Sequence, residues 1–407
     1  MFRYGLTRFS RKKRVLILGI CLTFVYIVFE AFMWSNINGI WQNVQINCET
    51  LNARQKLVDL CIGYHDGHIG GNLCQDLCVT KQLAVSDCLA HKNTTIVFTG
   101  VWRGVDIVFK TKKLPHQYQD IIEILYGPDK TVEGDFSLKL DTFAEFLSYQ
   151  VLDTIKHHKN LGHHLSPVEL LHKMYYPHSI GHLTLPDAQH LWNLIQLDEF
   201  VKLQLLQGTS YVPKTYGFCG QFYAVEKVQT LEEYIGPFAR PKPWRTRVQV
   251  AREILKLFMG LRNTSIGALT HCDIQPANLG LNTEGKVLLV DVDTLFNELE
   301  TKEIMSQGSC TTEKDCRFFD CISLCDKREN TCGSFMLTNN LHVLCRDLMV
   351  LDSWVSSGLL NMSPIYASNR LKPSLLKCLD ERTLPWTRVK VDALFDELLR
   401  LLALPLE

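Results

Sequence analysis

Residues 269–293 read "LTHCDIQPANLGLNTEGKVLLVDVD". An acid, Asp273, follows His271 and Cys272. Asn278 stands five positions later, and Asp291 closes the apolar run "VLLV" thirteen positions after that. Glu284-Gly285 mark a turn between two short apolar segments, so the stretch predicts loop, strand, turn and strand. Phosphoryl transfer from a nucleotide asks for few protein groups, because positioning and charge neutralisation supply most of the rate. It needs an acid to orient the acceptor hydroxyl and take its proton, oxygen ligands for a divalent ion, and a cation on the phosphates. Asp273 has the place of the acid. Asn278 and Asp291 offer an amide and a carboxylate oxygen to the ion.

The spacing H-x-D-x-x-x-x-N belongs to the catalytic loop of protein kinases. Alone it arises by chance in many chains, and its weight comes from what surrounds it. Upstream, "TIVFTGVWRGVDIVFK" (95–110) alternates about Arg103-Gly104 and predicts a hairpin whose second strand ends in Lys110, the place of a phosphate-pairing lysine. "TLPDAQHLWNLIQLDEFVKLQLLQG" (184–208) predicts one long helix. It opens with Thr184 three positions before Asp187 and with Pro186 in the first turn, and Gly208 follows its end. Glu199, central in it, is placed to pair with Lys110. "YVPKTYGFCGQFYAVEKV" (211–228) reads as two strands around Gly217–Gly220, and "WRTRVQVAREILKLFMGLR" (244–262) as an amphipathic helix. The C-terminal part is mostly helical. Taken singly, Asp273 and Asn278 read as turn residues, Lys110 as a solvated strand end and Glu199 as a surface charge. Five such residues in this order favour the chemical reading. The expected fold is α+β: a protein-kinase-like bilobal fold, a small sheet-rich lobe followed by a helical lobe.

Lys+Arg and Asp+Glu both number 43 in 407 residues, so charge gives no reason to expect a nucleic-acid partner. Residues 15–34, "VLILGICLTFVYIVFEAFMW", carry one charge over a length that spans a bilayer core. "RKKR" (11–14) precedes them and no basic cluster follows. The positive-inside rule then places residues 1–14 in the cytosol and the rest across the membrane, behind a single transmembrane signal anchor. "AFMWSNING" offers no small-x-small site for signal-peptide cleavage. Cysteine usage agrees with an oxidising lumen. Cys21 lies in the anchor. Cys48, Cys61, Cys74, Cys78 and Cys88 form one cluster, and Cys310, Cys316, Cys321, Cys325, Cys332, Cys345 and Cys378 another. Cys219 and Cys272 stand apart. The second cluster holds no C-x-x-C pair, which favours disulfides over zinc, with connectivity unreadable. Sequons at Asn93, Asn263 and Asn361 are compatible with this topology.

The blocks "GGNLCQDLCVTKQL", "VWRGVDIVFK", "LWNLIQLDEF", "PKTYGFCGQFYAVE", "CDIQPANLGL" and "CTTEKDCRFFDCISLCD" lie in the order of a known family. Over roughly residues 48–400 the chain resembles the divergent protein kinase domain 1 family, also called "family with sequence similarity 69": Cys-rich, type II endoplasmic-reticulum membrane proteins with a kinase-like lumenal domain. The resemblance places the second Cys cluster where a kinase activation segment runs. It also marks departures. No G-x-G-x-x-G precedes Lys110. With strands expected at 81–90 and 95–102, the loop over the phosphates falls near "HKNTT", without glycine. Gln275 stands where kinases carry a lysine two residues after the base. Asp291-Val292-Asp293 replaces D-F-G. The family's EF-hand corresponds to "YPHSIGHLTLPD" (176–187), with Tyr176, His178 and Ile180 at positions that need carboxylates and only Asp187 retained, so no calcium binding is expected. His157, His158, His163 and His164 read as a solvated polar loop rather than a metal site.

The expected organisation is a cytosolic tail (1–14), an anchor (15–34), a stem (35–47), a Cys-rich segment with the N-lobe and a degenerate EF-hand loop (48–228), and a C-lobe (229–407) with a Cys-rich insertion at 310–345. The expected function is that of a membrane-anchored lumenal kinase-like protein of the endoplasmic reticulum, with the Golgi as alternative. ATP or another nucleotide and Mg2+ or Mn2+ are its cofactors: Lys110, Asn278 and Asp291 bind them, Asn278 and Asp291 hold the metal, and Asp273, Lys110 and Glu199 carry catalysis. The expected partner is a lumenal protein or a glycan. Two alternatives stand beside it. One is an inactive pseudokinase scaffold. The other is a small-molecule or glycan kinase, since "VDVDTLF" also fits the D-x-D/E of that class and would add Asp293 as a ligand.

Overall fold

A computed structural model describes residues 53–92, 95–112, 140–155, 166–175, 183–235, 242–350, 358–361, 363–380 and 387–403. The anchor at 15–34, the histidines at 157–164 and most of the EF-hand-like loop lie outside them. Among the described residues no helix is long and apolar enough to cross a membrane.

The chain enters through helix α1 (Ala53–His65) and a π-helical turn at Gln75–Val79. An antiparallel sheet follows: β1 (Leu83–Lys92), β2 (Thr95–Trp102) and β3 (Val105–Thr111), completed by β4 (Thr215–Cys219) and β5 (Phe222–Glu226) in the order β1-β2-β3-β5-β4. The β2–β3 turn sits at Arg103-Gly104, both with positive φ. β1 starts two residues later than its expected span, because Lys81 adopts φ +56° and breaks the extended run. β1 and β2 pair to their ends, Lys92 opposite Thr95, so only two residues connect them.

Strand alternation sends residues to two different layers. Ile107 and Phe109, with Phe98, Phe222 and Ala224, pack against Leu60, Leu73 and Leu77 of the Cys-rich segment. Phe109 stacks on Phe222 with centroids 5.1 Å apart. Burying such rings contributes roughly 1.5–3 kcal/mol each. The opposite face carries Val108, Tyr223 and Val225 into the main core. The Cys-rich segment is thus a third layer over the outer face of the sheet. Cys61–Cys78 braces it internally and Cys74–Cys219 ties it to β4. The pair Gly70-Gly71 permits this closeness: a Cβ on Gly70 would lie 2.3 Å from the Asp187 nitrogen, and one on Gly71 2.3 Å from the Phe218 carbonyl. Asn72 then acts as a short surrogate strand, its Oδ1 accepting from Phe218 N–H at 3.0 Å and its Nδ2 donating to the Tyr216 carbonyl at 3.2 Å.

Helices α2 (Leu140–Thr154) and α3 (Pro167–Met174) lead to α4 (Leu185–Ile195) and α5 (Asp198–Leu205). The last two correct the expectation of one long helix. The capping box Thr184/Asp187 forms as expected, but the helix stops at Ile195 and restarts after Leu197, which is extended (φ −104°, ψ 113°) and buried. Asp198 and Glu199 then fall in a new first turn, where acids are favoured. Neither Gly nor Pro marks this break, so periodicity alone missed it.

The helical lobe contains α6 (Trp244–Gly260), the short strands β6 (Gln229–Thr230), β7 (Leu269–His271), β8 (Leu279–Leu281), β9 (Val287–Leu289) and β10 (Leu295–Asn297), then α7 (Glu298–Met305). β6, β8 and β9 form one sheet and β7 pairs with β10. The Cys-rich insertion folds as β11 (Arg317–Phe318), β12 (Cys321–Asp326) and β13 (Thr331–Met336), bound by Cys310–Cys325 and Cys316–Cys332. Its cysteines are therefore in disulfides, not on zinc. Helices α8 (Ile365–Leu379) and α9 (Arg388–Leu402) close the lobe, with Cys345–Cys378 bonding α8 to the preceding π-helical turn.

Candidate functional site

Lys110 is the sixth residue of β3 and points with Val108 toward the cleft face, opposite Tyr223 of β5. α5 presents Glu199 to it. Lys110 Nζ lies 2.5 Å from Glu199 Oε1, with both side chains buried. Tyr223 donates its hydroxyl to Glu199 Oε2 at 2.7 Å, and burial followed by the neighbouring carboxylate holds that phenol well above its ordinary pKa. Glu199 is therefore fixed by two partners from adjacent strands.

The loop of the opening stretch is built around His271. Its Nδ1 accepts from Asp273 N–H at 3.1 Å, so the proton sits on Nε2, which donates to the Asp291 carbonyl at 3.0 Å. Burial keeps this imidazole neutral by lowering its pKa. One ring thus holds the loop of Asp273 against the segment of Asp291. A 3-10 turn, Pro276–Asn278, brings Asn278 Nδ2 back to Asp273, donating to its carbonyl at 2.9 Å and to Oδ2 at 2.8 Å. Gln275, where kinases carry a lysine, donates to the same Oδ2 at 2.9 Å. The backbone continues the link: Val290 N–H donates to the Asn278 carbonyl at 2.9 Å.

Asp291 and Asp293 meet Glu199. One oxygen from each of these three carboxylates lies within 4.8 Å of the others. This differs from the ligand set expected from sequence, Asn278 with Asp291. Glu199 and Asp293 join the cluster, and Asn278 is engaged through its amide nitrogen with Asp273. The cluster is held together by a residue the sequence reading passed over. Lys112 places its Nζ 3.0 Å from Glu199 Oε2 and 3.5 Å from Asp291 Oδ1, and pairs with Asp293 Oδ2. Burial opposes the charge on Lys112, but the three carboxylates outweigh it and raise its pKa. Burial pushes Asp291 up while Lys112 and Lys110 pull it down further, leaving it below the ordinary value. Asp293 goes the other way: burial, then Glu199 and Asp291, push it up to about 7 against the pull of Lys112. The signal for Lys112 was available, since a strand period of two puts 110 and 112 on one face.

The insertion grips the loop from the other side. Cys272, directly before Asp273, is bonded to Cys321. Asp320 N–H donates to the Cys272 carbonyl at 2.7 Å, and Asp320 Oδ2 accepts from Ile274 N–H at 2.8 Å. Arg346 reaches Asp320 at 3.1 Å. Sequence spacing left Cys272 and Asp320 without a role, because their partners are fixed only by the tertiary fold.

All five sequence-derived residues therefore belong to one connected network of contacts: Lys110 with Glu199, Asp273 with Asn278, and Asp291 joined to the first pair through Lys112 and to the second through His271 and the backbone. Three carboxylates this close suit a hard divalent ion that prefers oxygen ligands, such as Mg2+ or Mn2+. A five-stranded lobe carrying an ion-paired lysine, stacked on a helical lobe with an H-x-D-x-x-x-x-N loop, is a protein-kinase-like domain. Over residues 191–381 the chain matches the family model described as the protein-kinase domain of FAM69. Over residues 7–150 it matches the model described as the N-terminal cysteine-rich ER region of FAM69. The chain belongs to the FAM69 family. The strand bearing Lys110 falls in the second match and the loop bearing Asp273 in the first, so the cleft is assembled from both.

Proposed function

We propose that this protein is a type II, single-pass endoplasmic-reticulum membrane protein whose lumenal kinase-like domain binds a nucleotide with Mg2+ or Mn2+ and transfers its terminal phosphoryl group to a hydroxyl of a lumenal acceptor. The observation that carries the reading is the single network of contacts that links Lys110–Glu199, Asp273–Asn278 and Asp291. Six disulfides among the described residues support an oxidising compartment. The sequon residue Asn263 is exposed, as a glycan site requires. The apolar residues 15–34 are the anchor.

In this reading Lys110, positioned by Glu199, neutralises nucleotide phosphates. Glu199, Asp291 and Asp293 would hold the divalent ion, and Asn278 is tied to their segment through the Val290 N–H. That ion, when bound, offsets charge on the transferring group. Asp273, oriented by Asn278 and Gln275, accepts the proton of the acceptor hydroxyl. The two-residue β1–β2 connection gives little backbone to wrap the phosphates, which favours slow turnover. Asp187 has Oδ1 engaged by Gly71 N–H at 2.7 Å and Oδ2 by Thr184, which supports the absence of a calcium site there.

Asp293 favours one variation. Its carboxylate joins the cluster as the second acid of a D-x-D would, so a glycan or small-molecule hydroxyl is an acceptor of equal standing with a protein. Radiolabelled phosphate transfer from ATP by the full-length protein, offered lumenal proteins and glycans in parallel, tests the reading. Asp273→Asn should lower transfer about 10²–10⁴-fold. Transfer unaffected by Asp273→Asn contradicts the role given to Asp273; transfer absent from the wild type with Mg2+ and Mn2+ alike contradicts the reading and leaves the pseudokinase scaffold.

A further inference from the structure

Lys112 stands where three carboxylates converge, and this position carries an inference that rests on the nucleotide reading above. We propose that Lys112 couples divalent-metal binding to nucleotide binding: its ammonium holds the Glu199–Asp291–Asp293 cluster when no ligand is bound, and moves to the nucleotide phosphates when a metal ion takes those carboxylates.

The geometry makes the ammonium and the ion competitors. Lys112 Nζ already contacts Glu199 Oε2 at 3.0 Å, Asp291 Oδ1 at 3.5 Å and Asp293 Oδ2. These are the three residues whose oxygens lie within 4.8 Å of one another. A divalent ion drawing on the same carboxylates cannot share their centre with an ammonium, because the two cations repel strongly at such a separation in a partly desolvated site. Metal entry therefore displaces Lys112. Lys112 emerges from the strand end beside Lys110, on the same face of the cleft, and its side chain is only 19% exposed. A displaced ammonium here needs a new anion. Phosphate oxygens brought to Lys110 and to the metal supply one. They also receive the positive charge that Gln275 does not provide. Each ligand then lowers the cost of binding the other, which is a coupling free energy and is reciprocal. Lys110 does not carry this role: its ammonium pairs with Glu199 Oε1 and lies over the Tyr223 ring, and it acts on Asp291 by charge alone, whereas Lys112 makes direct ion pairs with both aspartates.

The test is binding, measured on the full-length protein in detergent with Mn2+ alone, with the non-hydrolysable ATP analogue AMP-PNP alone, and with both. Lys112→Met should bind Mn2+ alone about tenfold more tightly than the wild type, and AMP-PNP at saturating Mn2+ about tenfold more weakly, within the range of measured couplings. Lys112→Arg, which keeps the cation, should stay near the wild type in Mn2+ affinity. Equal Mn2+ affinity in Lys112→Met and wild type, with AMP-PNP binding intact in both, overturns the role of Lys112 and leaves the nucleotide reading standing. Failure of the wild type and Lys112→Met alike to bind Mn2+ or AMP-PNP overturns both. Should Lys112→Met not fold, Asp293→Asn examines the cluster from the other side: it should weaken Mn2+ binding, and unchanged affinity overturns the proposal.

Discussion

Lys202 of α5 and Glu300 of α7 form an ion pair at 3.0 Å, with side-chain exposures of 0% and 6%. Lys202 also lies over the Phe296 ring at 4.7 Å. The helix that offers Glu199 to Lys110 is thereby fastened to the segment that follows Asp291. Three ion pairs hold α5: Lys110 and Lys112 on Glu199 at the site, and Lys202–Glu300 behind it. The rear pair sets the position of Glu199 without touching a ligand.

Removing one partner of a buried pair leaves a charge without compensation, a loss of roughly 3–5 kcal/mol. Lys202→Met should therefore destabilise the protein by that order. Lys202→Met/Glu300→Met, which removes both charges, should recover most of it. Chemical denaturation of the three proteins checks this. A single variant as stable as the wild type would show that the pair does not fasten α5.

Cys272–Cys321 closes a sequence separation of 49 residues and ends directly beside Asp273. The chain-entropy model assigns about 4 kcal/mol to a loop of that size. Cys272→Ser/Cys321→Ser should lose stability up to that figure and should free the Asp320 contacts that hold the loop. Equilibrium unfolding measures the first effect. Mass spectrometry of the wild type after alkylation checks the bond itself, and free thiols at both positions would contradict it.

His190 gives a pH dependence of defined sign. Burial is the main cause of its lowered pKa, against smaller upward contributions from the Pro186 carbonyl, which accepts from Nδ1 at 2.8 Å, and from Asp187. The folded protein holds this ring neutral, while the unfolded chain takes up a proton near 6.5. Its contribution is fully present above that value and falls as pH drops below it. His271, also buried neutral, adds to the same trend. Asp293, pushed up to about 7, works in the opposite direction over the same range, so the His190 contribution shows as a difference: from pH 7.5 to pH 5.5 the melting temperature of His190→Asn should fall less, or rise more, than that of the wild type. The same pH dependence of the midpoint in His190→Asn and wild type would contradict this assignment.

The site was legible in sequence where its parts are local. Asp273, Asn278 and Asp291 stand within one stretch whose spacing encodes loop, strand and turn, and Lys110 ends a hairpin with a clear period of two. Glu199 was legible as an acid in the right helix, though the break before it was not, because Leu197 interrupts the helix by its burial rather than by a breaker residue. Lys112 obeyed the same alternation as Lys110 and was passed over because its partners come from three distant segments. Cys219 and Cys272 looked solitary for the same reason: each bonds to a cysteine that only the fold brings near. Lys202 and Glu300 read as ordinary helix charges, since burial is a tertiary property. The anchor and the EF-hand-like loop rest on sequence reasoning, because they lie mainly outside the described residues.

The central claim is that Lys110, Asp273 and Asp291 serve one nucleotide. The most direct measurement is binding of AMP-PNP by the full-length protein in the presence of Mn2+, by calorimetry, for the wild type and Lys110→Met. Loss of a charged contact of this kind costs about 1.5–3 kcal/mol, so Lys110→Met should bind roughly 10–100-fold more weakly than a wild type that binds with one site. A wild type that takes up no AMP-PNP with either Mn2+ or Mg2+, or a Lys110→Met that binds as well as the wild type, would contradict it.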